Sequence, residues 1–357
     1  VLGRLVGIAQ RVAFVGLAKN TGKTEALTTL VSELSALGRT LAITSIGRDG
    51  EEFDAIQPHI AKPPILCPAG TLVASAAPLL RRSGAQYELL RRTGVRTPLG
   101  RVVIARLSEP AKVEVAGPSS SAEIRAVVDE MLALGADQAI VDGSIDRRAA
   151  AAPDVADAVI MSTGAVLDQD IEGVVRRTGE AVEMISLPRT ADPRLRDLAR
   201  RAKGNAIVAV GEAVHHLPDR FALTARAGRL PEGLRPGGGH EQTLIVGGVL
   251  PEHLLEALLP GRTRNHIRIV ASSPTSVFIH THSPRWYRQR GLHLEVLDPM
   301  ELTALTVNPQ APLSHSFDSK RLRKTIAEAL PVELPILDVR EPDYTEAWQR
   351  SLAGSPA

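Results

Sequence analysis

The sequence predicts an α/β fold: a mainly parallel sheet covered by helices on both faces, followed by a second α/β unit. Three observations predict it. Apolar runs of strand length alternate with apolar residues at helical spacing. The strand runs are continuously apolar rather than alternating, the pattern of strands buried on both faces. A Gly- and Pro-rich break, AGRLPEGLRPGGGH at Ala227–His240, separates two such stretches.

In chain order, Val12–Val15 reads as the first strand and is followed by a glycine-bounded loop. Leu27, Leu30, Val31, Leu34 and Leu37 then recur at helical spacing, and Gly38 stands where a helix stops. Leu41–Ile46 is the next strand. Residues 57–100, with Pro58, Pro63, Pro64, Pro68 and Gly70 and then Arg81, Arg82, Arg91 and Arg92, read as an irregular insertion. Ala122–Leu134 is expected as a helix with Ser121 as N-cap and Gly135 closing it. Strands are expected at Ala139–Val141, Ala158–Met161 and Val182–Ile185, with a helix over Ile171–Thr178. This gives a first domain over residues 1–204 and a second over 205–357. The second contains strands at Leu244–Val246, Ile267–Val270, Leu292–Leu297, Ala304–Val307 and Ile336–Val339, and helices near Glu252–Leu259 and Lys320–Ala329. Whether it closes its own sheet or extends the first is left open by the pattern.

The loop carries the chemistry. In VAFVGLAKNTGKTEALTTL a strand delivers the chain to Gly16–Thr24, and a helix begins at Gly22-Lys23-Thr24. Such a loop turns its N–H groups toward phosphate oxygens, and the helix dipole favours their charge. Gly16, Lys19, Asn20, Thr21, Gly22, Lys23 and Thr24 are the expected nucleotide contacts of a P-loop NTPase. Lys23 reaches the β- and γ-phosphates, and the Thr24 hydroxyl ligates Mg²⁺. The usual spacing puts the first glycine at Leu17; here it stands one residue earlier, at Gly16. That longer spacing resembles the loop of dethiobiotin synthetase and its relatives. The second lysine of the deviant loop in cell-division and nitrogenase-type ATPases is absent, its position being Ala18.

Carboxylates for magnesium follow two strands. Asp142 ends Ala139-Ile140-Val141, where a metal-organising acid belongs. Asp49 follows the second strand in TSIGRDGEEFD, with Glu51, Glu52 and Asp54 behind it. Lys23, Asp49 and Asp142 are thus the candidate catalytic set, and Thr24, Asp49 and Asp142 the metal set. Asp146, Arg147 and Arg148 either contact phosphate or cap the next helix. No Asn-Lys-x-Asp or Thr-Lys-x-Asp follows a late strand, so ATP rather than GTP is expected.

Composition narrows the classes. The 357 residues are 44% hydrophobic and 23% charged, enough for a full core. Aromatics make up 3%, so that core is aliphatic. A formal net charge of +2 argues against a dedicated nucleic-acid binder. The single cysteine, Cys67, excludes an intramolecular disulfide or a multi-cysteine metal site. The first residues, VLGRLVGIAQRVAFVG, are broken by Arg4 and Arg11 and do not read as a secretory signal. With no run near the ~18 apolar residues that span a bilayer, a soluble cytoplasmic protein is expected. Self-association is left open.

The segments GLAKNTGKT, TSIGRDGEEFD, KPPILCPAGTLVASA, VEVAGPSSSAEI, VDGSIDRRAAA, VIMSTGA and LTVNPQAPLSHSFD form an ordered series from Gly16 to Asp318, within a resemblance that spans Gly16 to about Asp338. Together they resemble the P-loop subunit of the lysine 5,6-aminomutase reactivase family. The resemblance implies an ATPase that works with a second ATPase subunit. Its expected task is release of damaged cobalamin from an aminomutase that uses adenosylcobalamin. The acidic stretch Asp49–Asp54 and the proline-rich residues after it are the switch expected on that reading. Two other readings stand beside it: an ATP-dependent enzyme that activates a carboxylate, as dethiobiotin synthetase does, and a nucleotide-gated chaperone for a cofactor or metal.

Elsewhere, His280 and His282 are expected to share one face of a strand, with His293 as a third imidazole for a metal or as structural residues. His215 and His216 are expected on opposite faces. Trp286 and Tyr287 among Arg285, Arg288 and Arg290 either anchor a short helix or dock a partner. Cys67, between prolines, is expected to pack rather than react.

Overall fold

The computed structural model describes residues 1–47, 64–144, 151–218, 220–225, 242–259, 266–312 and 314–353. Asp49, the acidic stretch to Asp54, Asp146, Arg147, Arg148 and the Ala227–His240 break lie outside them. The chain divides into unit 1, Val1–Thr178 with Glu301–Ala357, and unit 2, Gly179–Met300.

Unit 1 begins with α1 (Leu2–Val6), β1 (Arg11–Gly16), α2 (Lys23–Ala36) and β2 (Leu41–Ser45). There follow β3 (Ile65–Cys67), β4 (Leu72–Ala76), α3 (Ala77–Arg82), β5 (Tyr87–Thr97), β6 (Gly100–Leu107) and β7 (Ala111–Val113). Next come α4 (Ser121–Ala133), β8 (Gln138–Ser144), β9 (Ala158–Gly164) and α5 (Ile171–Ile185), within which the chain passes into unit 2.

Unit 2 continues with α6 (Pro193–Ala202), β10 (Ala206–Val210), β11 (Ala213–His216), α7 (Phe221–Thr224) and β12 (Gln242–Val246). It closes with β13 (Leu250–Pro251), α8 (Glu252–Leu258), β14 (Ile267–Ala271), β15 (Val277–Phe278), α9 (Pro284–Arg288) and β16 (Leu292–Val296). The chain re-enters unit 1 with β17 (Leu302–Asn308), α10 (Ser319–Ala329), β18 (Ile336–Leu337) and α11 (Pro342–Ala353).

The sheet of unit 1 has the order β18-β17-β9-β1-β8-β2-β4-β6-β5. Its strands from β18 to β4 are parallel, and the β5–β6 hairpin closes that side antiparallel. The side chains alternate between two cores. Val12, Phe14, Ile43 and Ile140 pack with Leu27, Leu30 and Leu34 of α2. Ala42, Ala139 and Val141 pack with Ile124, Val127 and Met131 of α4. Each buried aliphatic side chain contributes about 1.5–3 kcal/mol relative to exposure. The expected parallel sheet flanked by helices is therefore present, in an arrangement compatible with Rossmann or P-loop-like folds.

Unit 2 holds a second sheet, β11-β10-β12-β14-β16, in which β12, β14 and β16 are parallel. The C-terminal half thus does both things the pattern left open: unit 2 closes its own sheet, and β17 extends the first by pairing with β9. The boundary expected at residue 204 falls inside unit 2, because apolar periodicity carries no mark of which sheet a strand joins. Of residues 57–100, expected as an irregular insertion, the described part from 64 contributes β4 and β5 to the main sheet. The run Leu72–Ala76 is short and small, but all of it is buried between β2 and β6. The strand expected at Val182–Ile185 is the last turn of α5. Val174, Thr178 and Val182 recur four apart on one buried stripe, so the helical period continues through Gly179. The N-cap of α4 is Ser120 rather than Ser121: its hydroxyl accepts from the Glu123 N–H. Among the described residues no helix is long and apolar enough to cross a membrane.

Candidate functional site

The C-terminal ends of β1, β8, β2, β9 and β17 converge along one edge of the sheet, where ligands of open α/β sheets bind. β1 ends at Gly16, and the chain loops through Leu17–Gly22 into α2. The loop is tied down at several points. The Leu17 N–H donates to the Ser162 carbonyl at 2.9 Å, and the buried Thr21 hydroxyl donates to the Ala18 carbonyl at 3.0 Å.

The displaced first glycine has a steric reason. A Cβ at position 16 would stand 3.0 Å from Thr21 Oγ1 and 3.4 Å from Lys23 Cδ. Gly22 caps α2 at φ 78°, a left-handed conformation glycine adopts without strain. A Cβ there would also meet Asn308 Cβ at 3.1 Å. Among the described residues no side chain caps this helix start, which leaves its first N–H groups directed along the helix axis.

Lys23 begins α2 and its ammonium contacts the Asp142 carboxylate of β8. Asp142 sits in register with Phe14 of β1 and Ser45 of β2, and its carbonyl accepts from the Ile46 N–H at 3.0 Å. The pair is mostly buried, with 17% of the Lys23 side chain and 3% of Asp142 exposed. Burial pulls the Lys23 ammonium down to about 8. The adjacent carboxylate favours the charged form and opposes that pull. Thr24 lies in the first turn of α2, half-buried, while Lys19 and Asn20 are exposed. The structure therefore brings Gly16, Thr21, Gly22, Lys23, Thr24 and Asp142 into one neighbourhood; Asp49 lies outside the described residues.

Residues not singled out as site residues complete the surroundings. Asn308, at the end of β17, donates from Nδ2 to the Asn20 carbonyl at 2.8 Å, holding a loop residue that itself has φ 64°. Gly164 lets this strand end come close, since a Cβ there would be 2.3 Å from the Asn308 carbonyl oxygen. Glu25, in the first turn of α2, is gripped by the Arg340 guanidinium, which also donates to Gln310 Oε1 at 3.3 Å. No spacing rule points to Asn308 or Arg340, because topology alone brings them beside the loop.

A cavity of roughly 400 Å³ opens between the segments that follow β9 and β17. Val166, Leu167 and Pro312 give it apolar walls, and Asp168, Arg177 and His315 line its polar side. His315 is hydrogen-bonded through Nε2 to the Asp168 carbonyl oxygen at 3.0 Å.

In unit 2 the histidines are placed differently from expectation. His280 and His282 follow β15 in a loop, where the Glu252 carboxylate accepts from the N–H groups of His280, Thr281 and His282. His282 stacks on Trp286 with ring centroids 3.5 Å apart, and Arg290 lies over the indole. Tyr287 is buried and donates to Glu252 at 3.0 Å, so these aromatics anchor a short helix. His293 meets His266 instead, with ring nitrogens 3.1 Å apart. Cys67 is buried and burial pushes its thiol up to about 12, so it packs rather than reacts.

The chain is thus an α/β protein whose large mostly parallel sheet carries a glycine-bounded loop at the start of a helix. Comparison with protein-family models, with curated proteins and with solved structures returns no match.

Proposed function

We propose that unit 1 binds and hydrolyses Mg-ATP at the Gly16–Thr24 loop and that turnover drives work on a protein partner. The observation that carries this is the juxtaposition of the uncapped start of α2, Lys23 and a buried carboxylate at the end of a neighbouring parallel strand. The N–H groups of the loop and the first turn hold phosphate oxygens, and Lys23 exchanges Asp142 for the β- and γ-phosphates. Thr24 and Asp142 offer the hard oxygen donors that magnesium takes, with Asp49 as a further acid. The ion, when bound, neutralises charge on the terminal phosphates. The cavity beside β9 and β17 suits the base, with Val166, Leu167 and Pro312 against its faces. The Asn308–Asn20 hydrogen bond couples the loop to the end of β17, so a loop that rearranges on hydrolysis moves that segment too.

The partner assignment rests on the resemblance: a second ATPase subunit and an aminomutase dependent on adenosylcobalamin, from which damaged cobalamin is released. The displaced Gly16 favours one second reading, a carboxylate-activating enzyme like dethiobiotin synthetase. Phosphate release separates the two. Slow hydrolysis of ATP, accelerated by an inactivated mutase and abolished in Lys23→Ala, is expected. Hydrolysis that appears only with a small carboxylate substrate would falsify the reactivase reading, and Lys23→Ala at the parental rate would remove the loop from the mechanism.

A further inference from the structure

β5 is the last strand on its side of the nine-stranded sheet among the described residues, and it runs for eleven residues. Arg91, Arg92 and Arg96 are exposed on it, and Arg81 and Arg82 are exposed on the preceding α3. Against them β5 carries one acid, Glu88. Arg91 is engaged by Glu130 at 2.8 Å and Arg82 lies 3.9 Å from Glu114. Arg81, Arg92 and Arg96 have no ion pair among the described residues.

The hairpin also places like charges together. Arg96 stands directly opposite Arg101 across the β5–β6 ladder, next to the Thr97–Gly100 turn. Like charges in cross-strand register destabilise a sheet unless an anion lies between or above them. The same strand leaves Leu89 42% exposed.

We propose that this edge is a docking surface for an extended acidic segment of a partner protein, held by Arg92 and Arg96 with Leu89 as an apolar contact. Guanidinium forks take carboxylates in pairs and suit such a segment better than point charges do. A second copy of this chain does not fit, because two such edges would oppose their arginines. A nucleic acid fits less well: sequence-tolerant binding of single strands uses aromatic platforms, and the only aromatic on β5 is Tyr87, at its start and packed against the core under α2. The ladder to β6 is irregular between Leu89 and Arg91 and between Arg92 and Arg96. Such bulges prevent long open-ended strand pairing, so recognition falls on the side chains and a short stretch of backbone.

The test uses the full chain and a fluorescein-labelled peptide of alternating glutamate and valine, read by anisotropy at low and at physiological salt. Binding that weakens as salt rises, and falls by about tenfold or more in Arg92→Glu/Arg96→Glu, is the expected result. ATP hydrolysis is unchanged in that variant. Arg92→Lys/Arg96→Lys, which keeps the charge without the fork, loses only part of the affinity and guards against a folding defect. Absence of peptide binding at low salt overturns the proposal. So does tighter binding of a thymidine oligonucleotide than of the peptide at equal salt, or binding that both double variants retain in full.

Discussion

Lys23 and Asp142 form a charged pair of unequal partners: the carboxylate side chain is almost wholly buried, while the lysine side chain is buried less completely. Burial brings Lys23 to about 8 in the folded chain, below the ordinary lysine value. The unfolded chain therefore holds this proton at pH values where the folded chain has released it. Stability contributed by this group rises with pH from about 8 to the ordinary lysine range, and the cost is fully present below 8. Activity runs the other way, since a phosphate-binding lysine must be charged. The kcat/KM for ATP is expected to fall as pH rises through about 8, with the limb removed in Lys23→Arg, whose guanidinium stays charged. A profile flat to pH 10 in the parental chain would show that the Asp142 carboxylate outweighs burial and keeps the ammonium charged. The cavity gives a second residue-scale prediction. Val166→Trp fills part of the roughly 400 Å³ beside β9 and should raise the Kd for ATP at least about tenfold, as isothermal titration would show, with Tm little changed. Unchanged affinity would place the base elsewhere.

Elements at the site depend on close backbone approaches that admit no side chain. A Cβ at Gly117 would lie 2.1 Å from the Ser45 carbonyl oxygen, and one at Gly164 would lie 2.3 Å from that of Asn308. Gly164→Ala must therefore push β17 away from β9, and overpacking of this kind costs about 1–3 kcal/mol or more. Differential scanning calorimetry is expected to show a lowered Tm and weaker ATP binding together, because Asn308 leaves Asn20. A variant as stable as the parent would show that the strand ends are not so tightly apposed. These approaches also mark the limit of what sequence patterns convey. The loop, α2, β2, β8 and α4 were legible because each is local: a period, a cap or a glycine stop lies within one stretch of chain. Lys23 and Asp142 were legible for the same reason, each standing at the end of a recognisable strand or loop. Gly164, Asn308 and Arg340 were not, since their meaning arises only when β17 arrives beside β9. At Val182–Ile185 a few apolar residues fit either period until their burial is known, so the expected strand proves to be the last turn of α5.

At the scale of the molecule, unit 1 is discontinuous in sequence: it is completed by Glu301–Ala357 after the chain has built unit 2. β17 supplies a parallel partner to β9 from Val159 to Gly164, and β18 then pairs with β17. α11 adds a long-range tie, with the Tyr344 hydroxyl donating at 2.6 Å to the buried Glu33 of α2 and accepting from the Leu2 N–H at 3.2 Å. A chain cut at residue 204, the domain boundary expected from the sequence pattern, loses all of these. It leaves β9 as a bare edge beside β1 and Glu33 without its phenol partner, a buried carboxylate that costs about 1–3 kcal/mol when deprived of a hydrogen bond. Replacement of residues 179–300 by a flexible Gly/Ser linker keeps every strand of the first sheet, and the entropy of closing such a loop grows only slowly with its length. The linker version is expected to unfold cooperatively in denaturant and to bind ATP within about threefold of the full chain. The fragment ending at 204 should aggregate or show no cooperative transition. If the fragment folds and binds while the linker version does not, the first sheet does not need β17, and the proposed nucleotide site is independent of Asn308 and Arg340.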